Sequence, residues 1–222
     1  MNLLFLLPFV LIYEGALIAT RCPVENAAAG WLRVLVAGLG QRGWLVVTAV
    51  IGSVYAYAIW RRGKEAPREK GLYAGMLLEG VFYGLVLGWV AQALASSMPM
   101  GKRVPLGQFG VLVGDVREVG LCVGAGVFEE LVFRAGLLLG LYALARSALS
   151  ADRLTSALVA LLISSYVFSA YHHWGVFGEP YNGAVFAFRF HAGLVLGTLF
   201  LTRGLGIAAL AHGVYDVMVT LG

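Results

Sequence analysis

Residues 124–140 read GAGVFEELVFRAGLLLG, an apolar run that contains two adjacent glutamates and one arginine. An ionisable side chain inside a membrane span costs about 2.5–3.5 kcal/mol on insertion scales, so it requires a partner or a function. On a helix, Glu130 and Arg134 are spaced i,i+4 with the acid first, which is the favourable order for an ion pair. Glu129 points about 100° away from Glu130 and has no evident local partner. The pattern therefore predicts one neutralised and one available carboxylate, although an ion-pair cluster that only joins helices fits the residue types equally well.

The composition of the whole chain indicates a membrane protein. Of its 222 residues, 60% are hydrophobic and 13% are charged, against about 45–50% and about 25% in soluble domains. Because backbone groups in lipid must be satisfied internally, and because a span needs about 20 apolar residues, we predict an all-α transmembrane bundle of about seven or eight spans. It forms one integral membrane domain over residues 1–222, with the lipid bilayer as a partner. The net charge of +4 indicates basic loops and not a nucleic-acid partner.

The apolar runs place the predicted helices along the chain. They cover residues 2–20, 43–60, 72–97, 117–146, 154–173, 184–202 and 205–221. The segment 31–42 is shorter and carries two arginines, so it is either an interfacial amphipathic helix or part of an eighth span.

Two later helices also carry polar groups that are unusual in a span. In FSAYHHW, His172 lies four residues after Phe168 and shares its face, whereas His173 lies on another face. Either histidine could face the interior. In AHGVYDVM, His212 and Asp216 are spaced i,i+4, and a histidine–carboxylate pair in mid-span favours a functional role over packing.

Four further polar residues are predicted to have smaller roles. Arg189 and His191 lie near the start of a predicted helix, where Arg189 can extend toward the interface. His191 faces elsewhere and has a small chance of touching a site. Glu14 and Glu79, in the early helices, are predicted to make interface-facing or interhelical contacts.

Three helices thus each present a short polar group that a bundle can bring together in one pocket. A water molecule there could be activated by Glu129 and oriented by His172. His212 and Asp216 could hold a substrate carbonyl or stabilise an oxyanion. This is the chemistry of hydrolysis.

The motifs EELVFR, FSAYH and HGVYD, in this order, resemble the CPBP family of CAAX proteases and bacteriocin-processing (Abi) proteins. The family pattern is EExxxR, then FxxxH, then HxxxN or HxxxD, and the resemblance covers about residues 115–221. It implies a helical bundle of about eight spans that hydrolyses peptide bonds within the membrane. The best-known eukaryotic members remove the last three residues of prenylated CAAX proteins.

The resemblance also implies a set of site residues. Glu129 would activate the water with help from His172, and His212 with Asp216 would form the oxyanion side. Asp216 stands where the CAAX-processing members carry asparagine. Because an aspartate lacks the amide donor, an ionised Asp216 would orient His212 instead. The predicted catalytic set is Glu129, Glu130, His172, His212 and Asp216, with Arg134 and Phe168 in support.

Two questions stay open at this level, the cofactor and the class of function. Glu129, His172 and His212 could bind zinc, but the chain has no H-E-x-x-H, so we predict a metal-free glutamate mechanism. The substrate would be a membrane-anchored peptide or protein, cut at a C-terminal tail, sorting signal or leader peptide. The small loops suggest a bacterial-type inner or plasma membrane. The alternatives are a proton-coupled transporter and a non-catalytic scaffold or bacteriocin-immunity protein.

Overall fold

The fold is helical throughout the part of the chain that the computed structural model describes. That part comprises residues 2–20, 71–97, 116–175 and 178–221, with isolated positions at 53, 56, 57, 60 and 61. The predicted helix over 43–60 and the segment 31–42 lie outside it, apart from those isolated helical positions.

The helices begin and end close to the predicted bounds. They are α1 (Asn2–Thr20), α2 (Leu72–Ser96), α3 (Val116–Glu130), a π-helical segment π1 (Leu131–Leu138), α4 (Leu139–Ser147), α5 (Arg153–Tyr171), α6 (Gly183–Arg203) and α7 (Leu205–Leu221). The predicted helix over 117–146 is therefore one run of α3, π1 and α4. The all-α class is confirmed for the described residues.

Three of these helices, α2, α5 and α6, are long and apolar enough to cross a membrane. Apolar stretches in α1 and α7 are somewhat shorter. The helices thus form an integral membrane protein, and the count of seven or eight spans stays a prediction.

Helix α7 is the centre of the bundle. Its residues from Leu205 to Gly213 are all buried, on every side of the helix. A helix that is apolar all round is a core helix. It packs against α1, α2, α3 and α6, so its polar residues are held inside the protein and away from lipid.

Small residues allow these helices to approach each other closely. In lipid there is little hydrophobic drive between helices, so close van der Waals packing supplies much of the association. A Cβ atom built at Gly84 of α2 would lie 2.7 Å from the Val214 side chain of α7. A Cβ atom at Gly126 of α3 would lie 2.6 Å from the Ala209 carbonyl oxygen and 2.6 Å from the Gly213 nitrogen, both in α7. The backbones of α3 and α7 are therefore in direct contact.

Polar caps and one glycine set the connections around α5 and α6. The Asp152 carboxylate accepts hydrogen bonds from the backbone N–H groups of Leu154 and Thr155 and so begins α5. Asn182 caps α6 in the same way. Gly204 joins α6 to α7 with φ of 91°, a left-handed conformation that favours glycine. This one-residue turn brings α7 directly back beside α6.

Candidate active site

A cavity of about 300 Å³ lies between α2, α3, α5, α6 and α7. Its polar lining includes residues from the predicted set and two that sequence reasoning did not select. These ionisable side chains are Glu129, His172, Glu179, Arg189, His212 and Asp216. Helices that are distant in the sequence thus present their polar residues to a single space.

Glu129 lies at the centre of this group. It is 5% exposed, and its Oε2 lies 3.8 Å from His172 Nε2 and 3.9 Å from His212 Nε2. Among the described residues, this buried oxygen has no hydrogen-bond partner. Distances near 4 Å are too long for direct hydrogen bonds. All three residues line the same cavity, so a small molecule in it can contact the carboxylate and both imidazoles.

The two adjacent histidines have different environments. His172 is the C-cap of α5, and its Nδ1–H donates to the Phe168 carbonyl at 2.8 Å. In the neutral ring this leaves the lone pair on Nε2, the atom that faces Glu129. His173 instead contacts the Glu179 backbone carbonyl at 3.3 Å and packs against Tyr181. Of the two histidines that could face the interior, His172 is therefore the one that lines the cavity.

His212 is held by carboxylates on both of its nitrogens. Its Nδ1 lies 3.0 Å from Glu130 Oε1 and donates to it. Its Nε2 lies 3.5 Å from Asp216 Oδ2. The i,i+4 spacing predicted the second contact, but the shorter contact comes from Glu130 on another helix. Glu130 therefore fixes the direction in which His212 presents Nε2 to the cavity.

Glu130 and Arg134 form a fully buried pair behind this histidine. Arg134 Nε lies 3.2 Å from Glu130 Oε2, and the side chains are 1% and 0% exposed. The guanidinium donates to the Gly193 carbonyl at 3.3 Å and lies 4.5 Å from the centre of the Phe168 ring. The predicted i,i+4 pair is present although Arg134 lies in the π segment. Neither charged residue lines the cavity, so both can act only through His212 and Phe168.

The π segment π1 begins immediately after the two glutamates. A π-helix is rare, and short π segments occur often at functional sites because they rotate the side chains that follow. Here Phe133, Arg134 and Leu138 are buried. The wider turn lets Arg134 point into the bundle, where it meets Glu130, Phe168 and the backbone of α6.

An ion pair at the cavity was not predicted. Arg189 donates to both oxygens of Glu179, at 2.9 and 3.0 Å. Burial raises the pKa of the Glu179 carboxyl, but the hydrogen bonds from Arg189 lower it, and the net direction is down. Glu179 is therefore ionised at neutral pH. The signal in the sequence was Arg189 itself, because an arginine within a span requires a counter-charge and Glu179 is the nearest upstream carboxylate.

Three other ionisable residues considered in the sequence analysis lie away from the cavity. His191 is buried and donates from Nδ1 to the Ala187 carbonyl at 2.7 Å. Glu79 pairs with Arg203 across α2 and α6, as predicted for an interhelical contact. Glu14 is exposed on α1. None of these three lines the cavity.

The proposed zinc ligands can be compared with the geometry of zinc. With bonds of about 2.0–2.1 Å in a tetrahedron, the donor atoms would lie about 3.4 Å apart. Glu129 Oε2 lies farther than this from both histidine nitrogens, at 3.8 and 3.9 Å. Among the described residues, no group of three or more His, Cys, Asp or Glu side chains could hold a metal ion. The residues as placed do not fit zinc.

Gly126 offers a test of how the site is assembled. It lies one turn before Glu130 and contacts the backbone beside His212. We expect Gly126→Ala to separate α3 from α7 and to lower the free energy of unfolding by about 1–3 kcal/mol. Because Glu130 and His212 would be misplaced, the rate of any reaction at this site should fall by about 10²-fold. Activity and thermal unfolding of the purified protein measure both effects.

The matched control for this substitution is Gly140→Ala. Gly140 is also helical, and a Cβ atom there meets no atom within 4 Å. That variant is expected to keep full activity. Equal activity of the two variants would contradict the importance of the contact between α3 and α7.

The fold and the cavity together define a helical membrane protein whose interior carries a carboxylate and two imidazoles around a water-sized gap. One family model, described as type II CAAX prenyl endopeptidase Rce1-like, matches residues 116–218. No curated protein and no solved structure matches the chain. The matched region runs from the start of α3 almost to the end of α7 and includes the three motifs. The match supports the CAAX protease family, a family of peptidases, for this region of the chain.

Proposed function

We propose that this protein is an intramembrane endopeptidase in which Glu129 activates a water molecule for attack on a peptide bond. The observation that carries the proposal is the buried Oε2 of Glu129, which has no hydrogen-bond partner among the described residues and lies between His172 Nε2 and His212 Nε2. A water molecule in a buried site needs two to four polar partners, and these three atoms supply them.

Water activation follows from the hydrogen-bond directions. His172 donates from Nδ1 to a backbone carbonyl, so its Nε2 accepts a hydrogen bond from the water. Glu129 accepts the other proton as the general base. The oxygen then attacks the scissile carbonyl carbon, which forms a tetrahedral intermediate with a negatively charged oxygen.

Collapse of the intermediate requires an oxyanion donor and a proton for the leaving amine. As an imidazolium, His212 donates from Nδ1 to Glu130 and from Nε2 to the oxyanion. Asp216, 3.5 Å from Nε2, orients the ring in place of an amide donor. Glu129 then returns its proton to the departing amine, the C–N bond breaks, and the carboxyl and amine products leave.

The substrate class proposed for this chemistry is a membrane-anchored peptide or protein. The cavity lies within a bundle of apolar helices, which favours a scissile bond in a chain held at the bilayer. A C-terminal tail, a sorting signal or a leader peptide meets this condition. The proposed location is a bacterial-type inner or plasma membrane.

The function is tested by mapping protein termini in membranes of host cells that express the wild type or Glu129→Gln. Termini that are present with the wild type and missing with Glu129→Gln would identify both the activity and the cleaved bonds. Identical maps at equal expression would contradict the proposal and favour proton-coupled transport or a scaffold role.

The neighbouring histidines provide a matched pair of variants. His172→Ala removes the imidazole that accepts from the water, so we expect cleavage to fall by about 10²-fold. His173→Ala removes a ring that packs outside the cavity, so we expect activity within about twofold of the wild type. Cleavage rates per folded protein measure the difference. Similar losses in both variants would mean that His172 has no specific role.

The metal-free mechanism makes its own prediction. We expect purified active protein to contain far less than one zinc ion per chain, and we expect chelators to leave cleavage unchanged. Elemental analysis of the wild type and of His172→Ala measures this directly. Stoichiometric zinc in the wild type that is lost in His172→Ala would overturn the mechanism.

A further inference from the structure

The cavity contains a cation that the hydrolytic steps do not use. Arg189 lines the same space as Glu129 and His172, and its side chain is 13% exposed. Among the residues that the structure describes, it is the only lysine or arginine in that lining. The other charged groups around it, Glu129 and Asp216, are carboxylates and repel a substrate anion. Because His212 is assigned to the oxyanion, an anionic group elsewhere on a bound peptide is favourable beside Arg189.

One partner of Arg189 is a carboxylate in a two-point contact. Nη1 and Nη2 donate to the two oxygens of Glu179 at 2.9 and 3.0 Å. This fork geometry is the one by which arginine recognises a free carboxylate. The Glu179 side chain is 53% exposed, so its carboxylate can move into water while Arg189 stays in the cavity wall.

The backbone of Glu179 is fixed independently of its side chain. Its N–H donates to the His172 carbonyl at 2.8 Å, and its carbonyl contacts His173. Gly178, just before it, lies against the backbone of Trp174 so closely that a Cβ atom there would be 2.7 Å from the Trp174 nitrogen. The side chain can therefore leave Arg189 without moving the chain around the catalytic histidine.

We propose that Arg189 is the binding subsite for a carboxylate of the peptide substrate and that Glu179 occupies it until the substrate arrives. The inference rests on the proposed peptidase function and adds a determinant of specificity to it. The carboxylate is either the C-terminus of the peptide or an acidic side chain. In either case the fixed position of Arg189 sets the distance between that carboxylate and the bond presented to Glu129.

A structural ion pair and a substrate subsite predict different results for the two partners. If the pair only holds the loop, loss of either partner has the same effect. If it is a subsite, Arg189→Gln removes the receptor, whereas Glu179→Gln removes a competitor. The two substitutions should then change KM in opposite directions.

The experiment uses N-palmitoylated octapeptide pools that lack Asp and Glu within their random positions. One pool carries a free C-terminal carboxylate, a second carries a C-terminal amide, and a third is amidated with one added glutamate. We expect the wild type to cleave one carboxylate-bearing pool with an apparent KM about tenfold below that of the plain amide pool. Preference for the pool with the free C-terminus indicates a terminal carboxylate, and preference for the amidated pool with glutamate indicates a side-chain carboxylate.

The variants give the decisive comparison. Arg189→Gln should raise the KM for the preferred pool to that of the amide pool with kcat little changed. Glu179→Gln should lower the KM for the preferred pool by about two- to fivefold, because the competing carboxylate is half exposed and its pairing is partly offset by hydration. Arg203→Gln, which breaks the Glu79–Arg203 pair outside the cavity, is the matched control and should leave all three KM values unchanged.

Two outcomes would overturn the subsite. One is equal KM values for all three pools with the wild type. The other is a rise in KM for both Arg189→Gln and Glu179→Gln. Absence of cleavage of every pool by the wild type would instead overturn the peptidase function on which the subsite depends, so the two failures are distinguishable.

Discussion

Glu129→Gln is expected to lower kcat by about 10²–10⁴-fold, the range that a general base contributes, without loss of the folded protein. Glutamine has the shape of glutamate, but its amide cannot take a proton from water. The buried Oε2 of Glu129 makes no hydrogen bond to the described residues, so the substitution breaks no structural contact at that atom. It also removes a carboxylate from a buried position, where the charged form loses its hydration. Stability should therefore stay the same or rise.

The measurement is the single-turnover cleavage of one identified substrate, together with thermal unfolding of the same preparation. Glu14→Gln is the matched control, because Glu14 is an exposed glutamate on α1 that lies outside the cavity. It should retain wild-type rate and stability. Cleavage by Glu129→Gln at more than a tenth of the wild-type rate would remove Glu129 from the role of base.

The helices were predictable because each apolar run is about as long as a membrane span and is surrounded by lipid. Six predicted segments coincide with helical elements to within about two residues at each end, for example 72–97 against Leu72–Ser96 and 184–202 against Gly183–Arg203. In lipid the backbone must satisfy its own hydrogen bonds, so an apolar run of this length has few alternatives to a helix. The change to π geometry at Leu131 could not be predicted, because it depends on how Arg134 packs against neighbouring helices.

Sequence reasoning selected four of the six acidic, basic and histidine side chains that line the cavity, but it did not predict their contacts between helices. Sequence spacing identifies pairs on one helix, such as Glu130 with Arg134 and His212 with Asp216. It does not identify contacts between helices, and these determine the arrangement here. The hydrogen bond from His212 to Glu130 joins α7 to α3 over 82 residues of sequence. It depends on the glycine contact that brings those two backbones together, which no local pattern reveals.

The ion pair of Glu179 and Arg189 is a second contact that sequence spacing could not predict. A loop carboxylate beside a predicted span is normally a solvated residue, and Arg189 was expected to extend toward the interface. Only the position of the loop over His172 places both charges at the cavity. Three-dimensional proximity, and not spacing, makes them candidates for substrate recognition.

Glu130→Gln is expected to destabilise the fold by about 3–5 kcal/mol, in contrast to Glu129→Gln, which should leave stability unchanged or raise it. Its carboxylate neutralises Arg134, whose side chain is 1% exposed. Without that charge, the buried guanidinium keeps, among the described residues, the neutral amide of the substituted side chain, the Gly193 carbonyl and the face of Phe168. These neutral groups compensate a buried cation poorly. Activity should fall as well, because His212 loses the anion that fixes its Nδ1.

The loss of stability and the loss of cleavage can be separated by adding Arg134→Met to Glu130→Gln. Unfolding in mixed detergent titrations measures the stability of the single and the double variant. The double variant replaces the buried pair by neutral groups, so it should recover most of the stability that Glu130→Gln loses. It should not recover cleavage, since His212 still lacks its carboxylate. Recovery of both would mean that Glu130 serves the fold alone. An unchanged free energy of unfolding in Glu130→Gln would mean that Arg134 is not held as a buried cation. In the proposed mechanism the adjacent glutamates thus divide their roles, with Glu129 acting on the water and Glu130 on the histidine and the arginine behind it.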